Sequence, residues 1–317
     1  MGSRKRVFFV LRIVASAGML GLLLSRIHLS SLLPRDRASA ILWLILALVM
    51  WATTNVVGAL RWQRVVTALE LPSHLPPLIS HSFAGLFVSN FLPTTIGGDV
   101  LRVSRLSAEN GQAPASFASV VLERLTGFIV LPLITLVALA FQPNLLRLGS
   151  ATRLAVILSL VTLGILAAVL VVAGSPRLGQ RLAGNQSWLR FAGAVHLGLD
   201  RLRRHPGAAA TLVLTAVAYQ LMGVLSAWIG SQALDLHLSL WAAMAFVPVV
   251  LMAQVLPVSV SGIGLREGVL VLLLAPLGVP TAQAVAFGLL LYGMNLAVSL
   301  LGAPAFAVGA KPVRATA

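Results

Sequence analysis

The feature that most constrains this chain is the recurrence of apolar runs about 20 residues long from one end to the other. An α-helix needs a run of that length to cross the hydrocarbon core of a bilayer. Six full spans are predicted, near residues 7–26, 39–60, 117–141, 153–174, 208–231 and 281–308. No polar block remains that is long enough to fold as a separate soluble domain. The sequence therefore predicts an all-α polytopic membrane protein, with residues 1–317 forming one integral membrane domain.

Two further apolar regions, residues 78–106 and 240–277, have centres rich in Pro and Gly. Each is predicted to form two short half-helices around a break. Breaks at membrane depth are tolerated only where protein or a water-filled cavity satisfies the freed backbone groups. We therefore interpret both regions as re-entrant helical hairpins.

The chain is strongly basic, with 23 Lys and Arg against 8 Asp and Glu and a formal net charge of +15. In a soluble protein this charge would suggest a nucleic-acid partner. Here membrane topology is the better explanation, because basic residues hold loops on the cytoplasmic side of the bilayer. An Arg4-Lys5-Arg6 cluster precedes the first span, and arginines are concentrated in the 175–207 loop. We predict that both termini are cytoplasmic and that no nucleic acid is bound.

The two hairpin centres resemble each other. The first begins at Asn90 and the second at Gln254, and each has a Pro, a Gly and an Arg in the same frame. These residues are Pro93, Gly98 and Arg102 in the first centre, and Pro257, Gly262 and Arg266 in the second. The predicted topology makes the two hairpins enter from opposite faces, which indicates an inverted repeat; the alternative is coincidence in a leucine-rich chain. Inverted repeats with broken helices are typical of alternating-access transporters.

Two ionisable residues lie in each centre, and two more lie in the predicted span 117–141. They are Asp99 and Arg102, Arg266 and Glu267, and Glu123 and Arg124. Arg12, close to the basic N-terminus, is expected to reach the headgroups instead. A charge at the centre of a membrane helix costs roughly 2.5–3.5 kcal/mol, so these groups are expected to pair and to face a cavity. On the functional hypothesis, a lipid phosphate displaces a carboxylate from an arginine, whose planar guanidinium can bind phosphate with two hydrogen bonds. The chain is predicted to reverse at Gly98 and Gly262, which places Arg102 and Arg266 in the first turn of the half-helices that follow. The positive ends of these half-helices would favour the same anion. The alternative is a permanent structural network.

Three stretches resemble a known family: Asn90–Arg102, Leu256–Glu267, and Glu123-Arg124-Leu125 between them. They are similar to the lysylphosphatidylglycerol synthase transmembrane region, the flippase-like domain joined to an aminoacyl-transferase domain in multiple peptide resistance factors. The resemblance covers roughly residues 40–305 and implies lipid translocation in the bacterial inner membrane. We expect no synthesis of lysylphosphatidylglycerol by this chain, which has no soluble transferase domain. Asp99 departs from the Glu that is more common in the family.

Motifs for other kinds of chemistry are missing from the sequence. It contains no cysteine, no P-loop, no dinucleotide fingerprint and no credible Ser/His/Asp set. Its six histidines have no spacing suited to a metal. We therefore predict a transporter-like protein without metal or cofactor, rather than an enzyme.

The leading hypothesis is a flippase-like lipid translocase that moves a polar-headed, phosphate-bearing lipid between leaflets. Its predicted substrate-binding set is Arg102, Arg266, Asp99, Glu267, Glu123, Arg124, Asn90, Gln254, Gly98, Gly262, Pro93 and Pro257. Two other classes remain open: an enzyme that uses Glu123 or Glu267 as a general base on a lipid headgroup, and a scaffold for a lipid-modifying synthase or glycosyltransferase. The lipid itself is open among phospholipids, aminoacylated lipids, polyprenyl phosphates and other polar lipids. A homodimer and a separate lipid-modifying enzyme are the protein partners left open.

Overall fold

The computed structural model describes residues 37–91, 96–174, 193, 195–201, 206–255 and 262–308. Within these ranges the chain is built of helices and turns, without a β-strand. The α-helices are α1 (Arg37–Ala68), α2 (Leu75–Phe91), α3 (Ile96–Asn110), α4 (Ala113–Phe141), α5 (Pro143–Leu146), α6 (Ser150–Gly174), α7 (Pro206–Gln232), α8 (Leu240–Ala253), α9 (Leu265–Leu274), α10 (Thr281–Ser299) and α11 (Gly302–Val308). For this part of the chain the predicted all-α class is confirmed.

Five helical segments in the described ranges are long and apolar enough to cross a membrane. They are Arg37–Ala68, Ala113–Phe141, Ser150–Ala173, Gly207–Gln232 and Thr281–Val308. These segments coincide with five of the six predicted spans. The remaining prediction, residues 7–26, lies outside the described residues, as do the Arg4-Lys5-Arg6 cluster and most of the 175–207 loop. The chain is therefore a multi-pass membrane protein.

Helix α1 is longer than a membrane requires. Its 32 residues correspond to roughly 48 Å at about 1.5 Å per residue, against a hydrocarbon core of about 30 Å. The prediction ended this span at residue 60, whereas the helix continues to Ala68. Arg61 and Trp62, in this extension, are both buried.

A pair of short helices occupies each region where a hairpin was predicted. Helices α2 and α3 pack against each other, and so do α8 and α9. Pro93 and Pro257 fall between the helices of the two pairs and lie outside the described residues. The paired helices agree with two half-helices around a break, while the re-entrant path and the inverted repeat remain predictions.

Glycines at the two centres have different roles. Gly262 and Gly264 have φ angles of +75° and +83° in the turn that leads into α9. Gly98, in contrast, lies within α3, so its predicted position at the chain reversal is wrong. A Cβ atom at Gly98 would collide with the carbonyl oxygen of Gly85 and the hydroxyl of Ser89 on α2. Gly98 therefore permits close approach of two helices, whereas Gly262 permits a left-handed turn.

The early start of α3 also changes the position of its arginine. Because α3 begins at Ile96, Arg102 lies in the second helical turn rather than the predicted first. Arg266 does lie in the first turn of α9, as predicted. The two arginines are therefore not at equivalent distances from the helix N-termini.

The described residues divide into two compact units. The first unit takes its described residues from Met1–Ala52, Leu131–Val161 and Leu221–Val298, and the second from Thr53–Val130, Thr162–Gln220 and Ser299–Ala317. The first unit contains the α8–α9 pair. The second contains the α2–α3 pair, and α11 also packs on α2. Each unit therefore has its own pair of short helices.

Substituting Gly98 with Ala should destabilise the protein, because the new methyl group would be forced against the backbone of α2. We expect a loss of about 1–3 kcal/mol of unfolding free energy, the usual range for overpacking, measured by thermal unfolding in detergent. Gly164→Ala is the matched control, since a Cβ there meets nothing within 4 Å. Equal stability of the two variants would show that α2 and α3 do not depend on a glycine at their contact.

Candidate functional site

One carboxylate in the second unit holds two arginines. Glu123, on α4, accepts a hydrogen bond from Nη2 of Arg61 through its Oε1 atom. Its Oε2 atom accepts a second hydrogen bond, 3.1 Å long, from Nη1 of Arg102. All three residues are buried, with 4%, 4% and 9% of the surface of Glu123, Arg61 and Arg102 exposed. A single carboxylate thus connects helices α1, α3 and α4.

Aromatic rings cover the faces of both guanidinium groups. The Cζ atom of Arg61 lies 4.2 Å from the centre of the Tyr219 ring, and that of Arg102 lies 4.1 Å from the Trp62 ring. Trp62 is itself fixed by a 3.0 Å hydrogen bond from its Nε1 to the hydroxyl of Ser119. Cation–π contacts of this kind stabilise a positive charge without using its in-plane N–H donors.

A second carboxylate extends the group towards the surface of the unit. Asp99 accepts a hydrogen bond from Nη2 of Arg124 at 2.9 Å and lies 3.5 Å from Nη1 of Arg102. The side chains of Asp99 and Arg124 are 22% and 46% exposed. The charge cluster, defined as Arg61, Asp99, Arg102, Glu123 and Arg124, therefore runs from a buried end to an accessible one.

The charge cluster is unbalanced. Three guanidinium groups and two carboxylates leave a formal charge of +1. Within the described ranges, Nε and Nη1 of Arg61 and Nε of Arg102 are buried and have no hydrogen-bond partner. Most buried polar groups in proteins are hydrogen-bonded, and a buried donor without a partner is unfavourable. The cluster therefore has both the charge and the donors to accept an anion.

The first unit contains a smaller, balanced ion pair. Glu267 accepts hydrogen bonds from Nε and Nη2 of Arg266 at 3.0 and 2.6 Å. Its other oxygen accepts a 2.7 Å bond from the backbone N–H of Gly264, which caps the start of α9. The guanidinium of Arg266 lies 5.3 Å from the Tyr292 ring centre. Because Glu267 is fully buried and a Cβ on Gly288 would approach its Cγ to 2.8 Å, the carboxylate is tightly enclosed.

The predicted site residues are thus divided between the two units. The structure brings Asp99, Arg102, Glu123 and Arg124 together in the second unit. It pairs Arg266 with Glu267 in the first. Asn90 donates a 3.2 Å hydrogen bond to the carbonyl of Leu86 within its own helix. The side chain of Gln254 packs against Gly262, where a Cβ would come within 2.9 Å of it.

Sequence reasoning missed Arg61 and both aromatic rings. The predicted span ends at residue 60, so Arg61 is not among the charges that the sequence predicts at membrane depth. Tyr219 comes from α7, far away in sequence. An available signal was the Arg61-Trp62 pair directly after a long apolar run, since an arginine beside an aromatic residue at a span end can also point inward.

A second buried polar contact in the second unit was not predicted either. His81 Nε2 and Glu109 Oε1 lie 2.7 Å apart, joining α2 to α3. Nearby, Arg105 donates hydrogen bonds to the carbonyls of Ala305 and Phe306 in α11, at 2.9 and 3.0 Å. These contacts explain how polar residues hold α2, α3 and α11 together. In the described ranges no group of three His, Cys, Asp or Glu residues could hold a metal ion.

Comparison with known families gives one match. The family model described as "Lysylphosphatidylglycerol synthase TM region" matches residues 9–302. A search of curated proteins found no match. The matched region includes the charge cluster and the Arg266–Glu267 pair.

Replacing Glu123 with Gln should destabilise the second unit, because three guanidinium groups would then face a single carboxylate. Breaking a buried ion pair typically costs about 3–5 kcal/mol, and unfolding in detergent would measure the loss. Glu70→Gln is the control: Glu70 pairs with Arg201, but its side chain is 62% exposed, so we expect at most about 1 kcal/mol. Adding Arg61→Gln to Glu123→Gln should recover part of the stability by restoring the original charge. No loss in the single variant would contradict the bridging role of Glu123.

Proposed function

Because this chain belongs to the lysylphosphatidylglycerol synthase TM region family, we propose that it is a lipid translocase. It moves a polar-headed, phosphate-bearing lipid between the leaflets of a bacterial inner membrane. The observation that carries the proposal is the buried charge cluster, three of whose members are on helices long enough to span a membrane. Charges at membrane depth are unfavourable and usually mark a substrate or ion pathway.

The proposed mechanism is an exchange of anions on arginine. Glu123 holds Arg61 and Arg102 in the resting state. A phosphate oxygen of the lipid headgroup replaces a carboxylate oxygen on Arg102, and the carboxylate returns when the lipid leaves. Because one charge-assisted hydrogen bond replaces another, the headgroup is transferred without leaving a bare guanidinium in the membrane. The acyl chains stay in the bilayer throughout.

A second arginine is proposed to act in the first unit. Arg266 is buried beside Glu267 at the N-terminus of α9, where the helix dipole also favours an anion. Glu267 already occupies the backbone donor of Gly264. A phosphate that reaches Arg266 must therefore compete with a carboxylate there too.

The two alternative functions have less support. An enzyme that acts on a lipid headgroup would need a general base near a nucleophile or a metal, whereas Glu123 and Glu267 are each occupied by arginine. A scaffold for a lipid-modifying enzyme would need no exchangeable buried charges. We therefore propose that the chain itself is not an enzyme and that translocation is its own activity.

Leaflet exchange in proteoliposomes made with the purified protein alone tests this function. We expect Arg102→Ala and Arg266→Ala each to reduce the exchange rate by about ten- to a hundredfold, the equivalent of one or two charge-assisted hydrogen bonds. Lysine at either position should restore the rate only partly, since it lacks the planar fork. Arg64→Ala and Arg153→Ala, both at exposed positions, are matched controls.

Two results would count against the proposal. Failure of the wild-type protein to exchange any phospholipid would favour the scaffold alternative. Wild-type rates in both arginine variants, with normal folding, would show that these arginines only support the structure.

The proposed orientation, with cytoplasmic termini and inverted hairpins, can be tested by single cysteines in this cysteine-free chain. The positive-inside rule predicts that His74→Cys and Asn110→Cys react with an impermeant thiol reagent from the cytoplasm, and His237→Cys and Val279→Cys from outside. Labelling in intact and opened cells would separate the two faces. All four positions on one face would exclude an inverted arrangement.

A further inference from the structure

The surplus positive charge of the charge cluster should determine which headgroups the cluster binds. We infer that the charge cluster is a binding site for a phosphate of net charge −1, with Arg61 supplying the charge that selects it. The ligand is either the phosphodiester of an anionic lipid or a free phosphate ion. For transport, this inference rests on the proposed translocase function; for binding, it stands on the cluster alone.

The surplus charge lies on the two arginines that share one carboxylate. Arg124 pairs with Asp99 at 2.9 Å, which makes one balanced pair. Arg61 and Arg102 both pair with Glu123, whose single negative charge neutralises only one of them. Removing the charge of Arg61 would leave the remaining cluster neutral.

Arg61 also has donors to spare. Its Nε and Nη1 atoms are buried without a hydrogen-bond partner in the described ranges. Because the residue is only 4% exposed, bulk water does not satisfy these donors. Stacking on Tyr219 uses the face of the guanidinium and leaves these in-plane donors free for an oxygen. A phosphate with several acceptor oxygens suits such an arginine better than a neutral polar group does.

Gly127 lies directly against these donors. A Cβ atom on Gly127 would lie 3.0 Å from Nη1 of Arg61 and 3.1 Å from Nε2 of Gln220. The Gln220 amide donates to the carbonyl of Gly127 at 3.1 Å, which fixes it next to Arg61. Any side chain at this position would press on both groups. Glycine at position 127 thus keeps side-chain atoms away from Nη1 of Arg61.

Access to the buried end follows from the gradient of exposure along the cluster. The side chain of Arg124 is 46% exposed and that of Asp99 is 22% exposed, whereas those of Arg61 and Glu123 are 5% and 6% exposed. Arg102, whose side chain is 11% exposed and contacts both carboxylates, lies between these two ends. We therefore expect an anion to reach the cluster first at Arg124.

Charge balance then decides between headgroups. A monoanionic phosphate brings the cluster from +1 to zero. A zwitterionic headgroup leaves the net charge of the cluster at +1. A cationic aminoacylated headgroup with a net charge of +1 raises the net charge to +2. Since uncompensated charge is unfavourable away from water, the site should prefer the anion and disfavour the cationic aminoacylated lipid.

Binding can be measured on the purified full chain in an uncharged detergent by thermal unfolding. The probes are dihexanoyl phosphatidylglycerol (anionic), dihexanoyl phosphatidylcholine (zwitterionic) and sodium phosphate, at equal ionic strength. We expect saturable stabilisation by the anionic lipid at concentrations at least tenfold lower than by the zwitterionic one. Stabilisation by phosphate as strong as by the anionic lipid would identify the free ion as the ligand, and a preference for the lipid would identify the headgroup.

The variants assign this preference to Arg61. Arg61→Gln should weaken binding of the anionic lipid at least tenfold. Arg64 is an exposed arginine about one turn further along α1, so Arg64→Gln should leave this binding unchanged. Gly127→Ala should also weaken binding of the anionic lipid, although this variant retains every charge of the cluster. If Arg61→Gln fails to fold, Arg61→Lys serves instead: it keeps the charge and should keep the preference for the anionic lipid, with lower affinity.

Equal stabilisation of the wild-type protein by anionic and zwitterionic lipids would overturn the inference, and so would an unchanged anionic preference in both Arg61→Gln and Gly127→Ala. These failures differ from failure of the proposed function. Anion binding without leaflet exchange would refute translocation and leave the site in place. Exchange of anionic and zwitterionic lipids at one rate, without selective binding, would refute the site and leave translocation in place.

Discussion

The second unit depends on a single carboxylate shared by two arginines. Glu123 is almost fully buried and holds Arg61 on α1 and Arg102 on α3 at the same time. Neither arginine could stay in an apolar environment alone, because an isolated buried charge is strongly unfavourable. The stacking of Arg61 on Tyr219 and of Arg102 on Trp62 follows from the same requirement. The polar connection between α1, α3 and α4 therefore depends on where this carboxylate lies.

Much of the fold was predictable because the membrane imposes a simple rule on length and polarity. Five predicted spans coincide with apolar helices, and both Pro/Gly-rich regions contain pairs of short helices. Which residues form the charge cluster was harder to predict, because apolar runs show where helices lie in the sequence and not which helices contact each other. Arg61 shows this limit, because its partners Glu123 and Tyr219 come from distant helices. The early start of α3 places Gly98 within the helix and against α2, a contact between helices that the apolar pattern does not reveal.

Similar sequence in the two centres has produced different local chemistry. Pro, Gly and Arg recur in the same frame, yet Gly262 adopts a left-handed turn and Gly98 is a helix contact. The arginines differ as well. Arg266 is neutralised by the next residue in sequence, whereas Arg102 relies on a carboxylate from another helix. A shared pattern at this level therefore does not establish equal roles for matching residues.

This difference determines where a competing anion meets less resistance. Glu267 binds both Arg266 and the backbone N–H of Gly264, so moving it away from Arg266 also disturbs the cap of α9. Glu267 also has no exposed surface through which an anion could approach. Glu123 caps no helix, and its partner Arg102 also contacts Asp99, whose side chain is 22% exposed. Displacement at Glu123 therefore breaks only side-chain contacts, and the surplus positive charge is already present there. In the proposed mechanism, exchange of a carboxylate for a phosphate should therefore begin in the second unit. The main role of the Arg266–Glu267 pair would be to order the start of α9.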